Sequence, residues 1–453
     1  MCSAIMTIAV RSRYAGRFAI GIVVLVLWSV MSLFTQAQSW VFGSRDDPAE
    51  HAQLAWWNAY VEVTGAAGFS LIGPQWRGVG QVDLAAKGPG YGFRLDGSLR
   101  SGIYGPYDVE TDEWRDVLRM IDHIRYRPED SGTYLRLGPL DRTRFGNGHL
   151  VNFFSTETVW DDRSIGAEVQ FSGRYHTLEA FTADVTRRSI SGVRLAMAPF
   201  DQGQGGLSSL EVSGAVVEDH KTDTDLGSSF RGFETDVRMR AYRSGSFDFV
   251  PFVSGAWIPE YGQGMLIGAN LENANFIDMA RMHLTLALHY NSSDFRPALF
   301  GSFYTVSGPG RSIISGADPT RRDTPLRDVQ RGNSIVFESR ILFFERFELW
   351  YAFQRYHGVQ RLSEYHLRLH FTARNLRLSV AQDRRGLKGF TSLFGELGEE
   401  NRMRFQFDLR LLGRVWLLMD AHYTYRQNAV IDGNAYYSIQ RRFDPAIGLR
   451  ARF

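Results

Sequence analysis

The sequence predicts an all-β fold, a transmembrane antiparallel β-barrel of about 16 strands within a range of roughly 14–18. Three observations predict it. Hydrophobic and polar residues alternate with a period of two in segments of about ten residues, as strands do when one face meets lipid and the other a polar interior. After the N-terminal segment no apolar run approaches the length a membrane helix requires, and a chain that spans lipid without helices must close its backbone hydrogen bonds in a barrel. Glycine (45 of 453 residues) and aromatics (13%) are both abundant, which suits many turns and interfacial anchoring.

The elements follow in chain order. Arg11, Arg13 and Arg17 precede an apolar run from Phe18 to Phe34, and Thr35-Gln36-Ala37 places small residues where a signal peptidase cuts. Residues 1–37 are therefore expected to be a cleaved secretory signal, the alternative being an uncleaved membrane anchor. The only cysteine, Cys2, lies in that segment. A disulfide scaffold and a thiol enzyme are thus excluded for the mature chain. Setting aside the three arginines of 1–37 leaves 48 basic against 49 acidic residues, a balance of −1, so no nucleic-acid partner is implied. Residues 38–75 alternate poorly and are read as an N-terminal periplasmic segment, with a short helix around Pro48 to Ala59. The barrel is assigned to 76–453.

Within it, Met282, Leu284, Leu286, Leu288 and Tyr290 interleave with Arg281, His283, Thr285, Ala287 and His289. Tyr365, Leu367, Leu369, Phe371 and Ala373 interleave with His366, Arg368, His370, Thr372 and Arg374, and Met403 to Leu411 behaves alike. A helix would scatter these apolar positions around its circumference. A soluble sandwich would favour short polar side chains on its wet face and would seldom run this long, whereas here Arg, Asp, Glu and His crowd the polar set. Lys87-Gly88-Pro89-Gly90, the stretch from Pro128 to Gly132, Ser244-Gly245-Ser246 and Leu412-Gly413-Arg414 read as tight turns, and Tyr104 to Asp116, Asp141 to Arg163, Gly308 to Asn333 and Arg384 to Asn401 as long loops. The strand parity between Ile258 and Arg296 is not fixed by the pattern.

At the C-terminus Ile447, Leu449, Ala451 and Phe453 alternate with Gly448, Arg450 and Arg452. This resembles the terminal strand of bacterial outer-membrane barrels, in which such a segment is read by the barrel-assembly machinery. The resemblance implies residence in the outer membrane, with its lipid and that machinery as partners, and long loops facing outward.

The polar faces carry Arg94, Arg100, Arg125, Arg136, Arg238, Arg240, Arg368, His370, Arg374, Arg404 and Arg410 as candidate pore-lining residues. Rings of arginine favour anions, which motivates a porin-like channel for passive diffusion of small hydrophilic solutes with anion preference. The competing reading pairs these arginines with inward Asp96, Glu234, Asp236 and Asp408 so that they fill the interior. Arg142-Thr143-Arg144-Phe145-Gly146-Asn147-Gly148-His149 reads as a shaped loop able to fold into the lumen, so Arg142, Arg144 and His149 are candidates for a constriction, together with Arg311, Arg321 and Arg322 in the second long loop. Two further functions remain open: a closed barrel serving as scaffold or part of an envelope assembly or export system, and an outer-membrane hydrolase. Asp420 with His422, and Asp223 with Asp225, bear a slight likeness to the acid and histidine pairs of omptin-type proteases, though this chain is much longer. The pairs His283/His289 and His366/His370 are roughly 13–20 Å apart along their strands, too far to share a metal. No catalytic residue, metal or cofactor is expected, and association into a homo-oligomer is left open.

Overall fold

A computed structural model describes residues 60–453 apart from 89, 104, 108–114, 128–131, 188, 201–205, 221–229, 245–246, 277–279, 309–310, 314–330, 345, 358–362, 388–399 and 432–433. The expected signal and the helix near Pro48 lie outside the described residues.

The strands in order are β1 (Tyr60–Ile72), β2 (Gln75–Gly88), β3 (Tyr91–Gly102), β4 (Ile121–Tyr126), β5 (Thr133–Gly138), β6 (Gly166–Ser172), β7 (His176–Thr182), β8 (Ile190–Met197), β9 (Glu211–Asp219) and β10 (Phe230–Arg238). They continue as β11 (Phe247–Ile258), β12 (Gly262–Phe276), β13 (Ala280–Asn291), β14 (Gly332–Phe343), β15 (Phe347–His357), β16 (Glu364–Ala373), β17 (Leu376–Arg385), β18 (Asn401–Leu412), β19 (Val415–Ile431) and β20 (Asn434–Arg452). Tyr242–Ser244 prolongs β10 along β11 after a break. Each strand pairs antiparallel with the next, and β20 pairs antiparallel with β1, from Glu62↔Arg452 to Ile72↔Arg442, which closes the ring.

The barrel therefore has 20 strands, with two short pieces outside it, and not the expected 16. Those pieces are Gly105–Pro106, folded back on β3, and Arg311–Ile313, parallel to β20. The count fell short for two reasons. The strands β4 to β9 are only 6–9 residues long and mostly joined by short connections, so more of them fit into the chain than the usual strand length allows. In addition, β1 lies within the stretch read as preceding the barrel. Its outward set is diluted by small residues, Gly65 and Ala67 among Val61, Val63, Phe69 and Leu71, so its alternation is faint. The inward Gly68 is one place where only glycine fits, since a Cβ there would lie 2.1 Å from the Pro445 carbonyl oxygen across the closing seam.

Outward faces carry the exposed apolar residues, such as Val193, Leu195 and Met197 on β8 and Leu286, Leu288 and Tyr290 on β13, while His283, Thr285 and His289 of β13 are buried inside. No helix of the described residues is long and apolar enough to cross a membrane. The unclear parity after Ile258 has a physical cause. On β11 to β13 the inner face is itself partly apolar, with Phe252, Leu266 and Ala287 packed together and buried, so the contrast between faces fades.

The chain ends of the barrel lie at one rim. Connections from an odd strand to the following even strand lie at the other, and among the described residues two of these turn inward. L1 (residues 139–165) joins β5 to β6, and L2 (292–331) joins β13 to β14. The largest hydrophobic core sits in the lumen, where Leu140, Phe145, Leu150, Val151 and Phe154 of L1 and Phe295, Leu299, Phe300 and Tyr304 of L2 meet Phe181, Ile190, Val217 and Ile258 from the wall.

Candidate functional site

L1 enters the lumen as a hairpin. Thr143 and Phe154 exchange backbone hydrogen bonds of 3.1 and 3.0 Å, and the chain reverses through Gly146-Asn147-Gly148, where both glycines take positive φ (50° and 78°). Asp236 of β10 lies against the turn: Asn147 Nδ2 donates to it at 3.2 Å, and a Cβ on Gly146 would sit 2.2 Å from its Oδ2. Leu150 N donates to the buried Glu234 carboxylate at 2.9 Å. L1 and L2 then lock together as a parallel bridge between Val151 and Phe300, with Phe300 N donating to Leu150 O at 3.1 Å and Ala298 N to His149 O at 2.7 Å. Beyond this, L2 runs on through a short helical turn (Tyr304–Ser307) to Arg311–Ile313, which pairs with Ala435–Tyr437 of β20. Arg311 donates through both Nη atoms to Asp219 at the end of β9, 3.2 Å each, and Tyr304 Oη donates to the same oxygen at 2.9 Å. Strands β9 and β20 lie on opposite sides of the ring, so L2 is a strap across the mouth.

The other side of L1 is held by charge. Asp141 accepts from Arg402 Nη1 at 3.0 Å and from Arg368 Nε and Nη2 at 3.3 and 3.2 Å, while Glu157 accepts from Arg402 Nη2 at 2.8 Å. Asp383 on β17 completes the wall half, bonded to Arg368, Arg402 and His366. Burial alone would raise the Asp141 carboxyl, but the guanidinium groups of Arg368, Arg402 and Arg142 outweigh it and hold the group well below the ordinary carboxylate range. Further along L1, Trp160 lies 4.0 Å from the His422 ring, tilted by 37° to it, with Arg404 over its face at 4.7 Å.

The candidate pore-lining arginines are mostly in ion pairs. Arg94 donates to Asp83 (3.1 and 2.9 Å), Arg100 to Asp444 (2.7 Å), Arg238 to Glu211 (2.8 Å) and Arg368 to Asp383. Arg240 lies 3.3 Å from Asp248 and Arg404 3.7 Å from Asp420. Arg125 and Arg136 are buried register partners across β4 and β5, and Arg136 donates to Pro139 O. His370 is buried, 2.9 Å from Thr372 Oγ1. Two candidates lie elsewhere. Arg374 is exposed in the turn between β16 and β17, and Arg410 donates to Gly413 O at the same rim, because both strands end there and their last polar residues meet bulk water.

Of the loop candidates, Arg142 is buried with its guanidinium 5.1 Å over Trp350, and Arg144 bridges Asn152 (2.7 Å) and Glu338 (2.6 Å). His149 is fully buried at the hairpin, with Nδ1 3.2 Å from Ser254 Oγ. Arg321 and Arg322 fall outside the described residues, as do Asp223 and Asp225. Asp420 and His422 do meet, at 2.9 Å, under Trp160. Arg402, Asp141, Glu157 and Trp160 were not among the candidates. Parity alone offered Arg402, which shares the inward set with Arg404, whereas nothing in an irregular loop marks Asp141 or Glu157 in advance.

No family model matches the chain, and no curated protein does. Among solved structures the chain is similar to the ferric enterobactin receptor PfeA of Pseudomonas aeruginosa (9% identity, TM-score 0.37, covering 87% of this chain and 81% of that one). It is also similar to Wzi of Escherichia coli, an outer-membrane protein involved in group 1 capsule assembly and described as a carbohydrate-binding β-barrel (11%, 0.33, 90% and 89%), and to OprD of P. aeruginosa (9%, 0.31, 87% and 95%). The barrel assignment rests on this chain's own closed strand ladder.

Proposed function

We propose that the protein is an outer-membrane channel for small hydrophilic solutes that its own loops hold shut at rest. The observation that carries this reading is that the described parts of L1, a hairpin, and of L2, a strap, fill the lumen and are seated by hydrogen bonds and ion pairs, with no separately folded domain among the described residues. Apolar outward faces, the signal-like N-terminus and the outward-facing Phe453 support residence in the outer membrane. Water reaches part of the interior beside the plug: the inward side chains of Asp83, Arg94, Asp122, Arg404 and Asp420 stay 18–26% exposed, whereas Asp383, Arg402 and Arg368 next to Asp141 are at 1–5%. A partly hydrated, charge-lined lumen ending at a loop suits a solute path more than a rigid scaffold.

The test is planar-bilayer recording of the refolded protein. Because Thr143 and Phe154 are antiparallel partners, residues 144–153 can be replaced by an Asn-Gly turn without disturbing the strands. The intact chain should be silent for most of the record, and the shortened one should conduct in discrete steps. A shortened chain that folds and still passes no current would favour the scaffold reading.

A further inference from the structure

The plug meets the wall through a pair of histidines that no charge partner accommodates. His149 of L1 and His289 of β13 lie with ring centroids 5.1 Å apart, both buried, and Phe295 of L2 closes the edge of His149 at 5.5 Å. His149 Nε2 has no hydrogen-bond partner among the described residues. On the other side of the rings, Ser254 of β11 faces His149 Nδ1, and Gln354 of β15 lies 3.1 Å from His289 Nδ1. Of the carboxylates on the packed elements, Glu234 of β10 accepts from Leu150 N and Ser254 Oγ. Asp236 is engaged by Asn147, and Glu338 of β14 by Arg144 and Trp350.

We propose that this pair is an acid switch: protonation of His149 or His289 expels L1 from the lumen and opens the channel. In the seated plug the His149 ring is wholly buried, its Nε2 faces no acceptor among the described residues, and two imidazolium rings at this separation repel, so the charged ring is stable only once L1 has moved into solvent. Burial, and after it the neighbouring His289, holds His149 neutral well below its ordinary value of 6.5. The sign follows by linkage. Seating is strongest at pH above 6.5 and weakens as pH falls below it, because the released state binds the proton. For one histidine that protonates only on release, the released fraction should rise about thirtyfold between neutral pH and pH 5.

The inference rests on the gated-channel reading, and the experiment separates the two. Open probability of the full chain is recorded at pH 7.5 and 5.0 for wild type, His149→Gln, His289→Gln, the double variant and the shortened chain lacking 144–153. In parallel, thiol labelling of Asn147→Cys in a Cys2→Ser background is compared at both pH values with labelling of Asn375→Cys, an exposed turn position, to remove the pH dependence of the thiol itself. Both open probability and normalised labelling should rise at pH 5 in wild type, rise less in each glutamine variant and stay flat in the double variant His149→Gln/His289→Gln, while the shortened chain conducts alike at both pH values. Unchanged labelling in wild type, or an undiminished rise in both glutamine variants, would overturn the switch. Acid-dependent labelling without any current, even in the shortened chain, would keep the switch and overturn the channel.

Discussion

Arg402 and Asp141, 261 residues apart in the chain, meet at 3.0 Å inside the barrel, and that contact ties the first inserted loop to the wall. The Arg402 guanidinium also takes Glu157 and Ser155, so one wall side chain holds both legs of the L1 hairpin.

Asp141→Asn should therefore loosen L1 without unfolding the barrel. Removing one partner of a buried ion pair leaves the remaining charges uncompensated, at a cost of about 3–5 kcal/mol. Trypsin should then cut the folded variant at Arg142 or Arg144, which the wild type protects. The pH dependence of this tether has its own sign. The Asp141 carboxyl is lowered in the seated state from its ordinary 3.8, so the contribution is fully present above about pH 4 and is lost only as pH falls further. It cannot produce a change between pH 7.5 and 5. Burial lifts the Glu157 carboxyl of the same tether above its ordinary 4.5, so the glutamine variants of the histidine pair, and not elimination, assign any transition there.

Gly146→Ala tests the tip of the hairpin. Its φ of 50° strains any side chain, and the added methyl would meet Asp236 at 2.2 Å, so the turn must back away from β10. The expected cost of seating is about 1–3 kcal/mol. It would be read as a higher open probability with an unchanged melting temperature of the barrel. Gly73→Ala is the control, since its φ is similar (58°) but nothing lies within 4 Å.

How much of this was legible in the sequence depends on which face a residue occupies. Strands such as β16 announce themselves because Leu367 and Leu369 face outward while Arg368 and His370 face in. The short strands β4 to β9 were harder to count, since six to nine residues give only three or four repeats of a two-residue period. Around Leu266 the pattern fails for the opposite reason: the inner face itself turns apolar, with Phe252, Leu266 and Ala287 buried against one another, so both faces read as hydrophobic. The Gly146-Asn147-Gly148 turn was visible as a shaped loop. Its partners Asp236 and Glu234 were visible only as inward acids, because which loop reaches which strand is a long-range property of closure.

Charge selectivity should be weak once the plug is removed. Arg94, Arg100, Arg238, Arg240, Arg368 and Arg404 each face a carboxylate, so the lining offers passing ions paired dipoles and not a ring of free cations. In a salt gradient the shortened chain should show an anion-to-cation permeability ratio within about twofold of unity. Asp83→Asn, which frees Arg94 in the part of the lumen that water reaches, should shift the reversal potential toward the anion. A strong anion preference in the shortened chain with Asp83 intact would mean that the pairs dissociate in the hydrated lumen.

The seam between β1 and β20 decides whether the ring exists at all. Phe453 N donates to Val61 O at 2.9 Å, and Phe453 is 78% exposed, so its backbone helps close the barrel while its ring stands outside the ladder. Gly68→Val and Phe453→Asp should consequently fail in different ways. The valine forces its Cβ into the Pro445 carbonyl, separates the two strands and should abolish the heat-modifiable folded band both in cells and after refolding in detergent micelles. The aspartate leaves every backbone bond of the seam available, so refolding in micelles should persist while insertion into the outer membrane of cells drops severalfold. Equal loss in both settings for Phe453→Asp would mean that the terminal aromatic stabilises the finished barrel and is not a recognition element for its assembly.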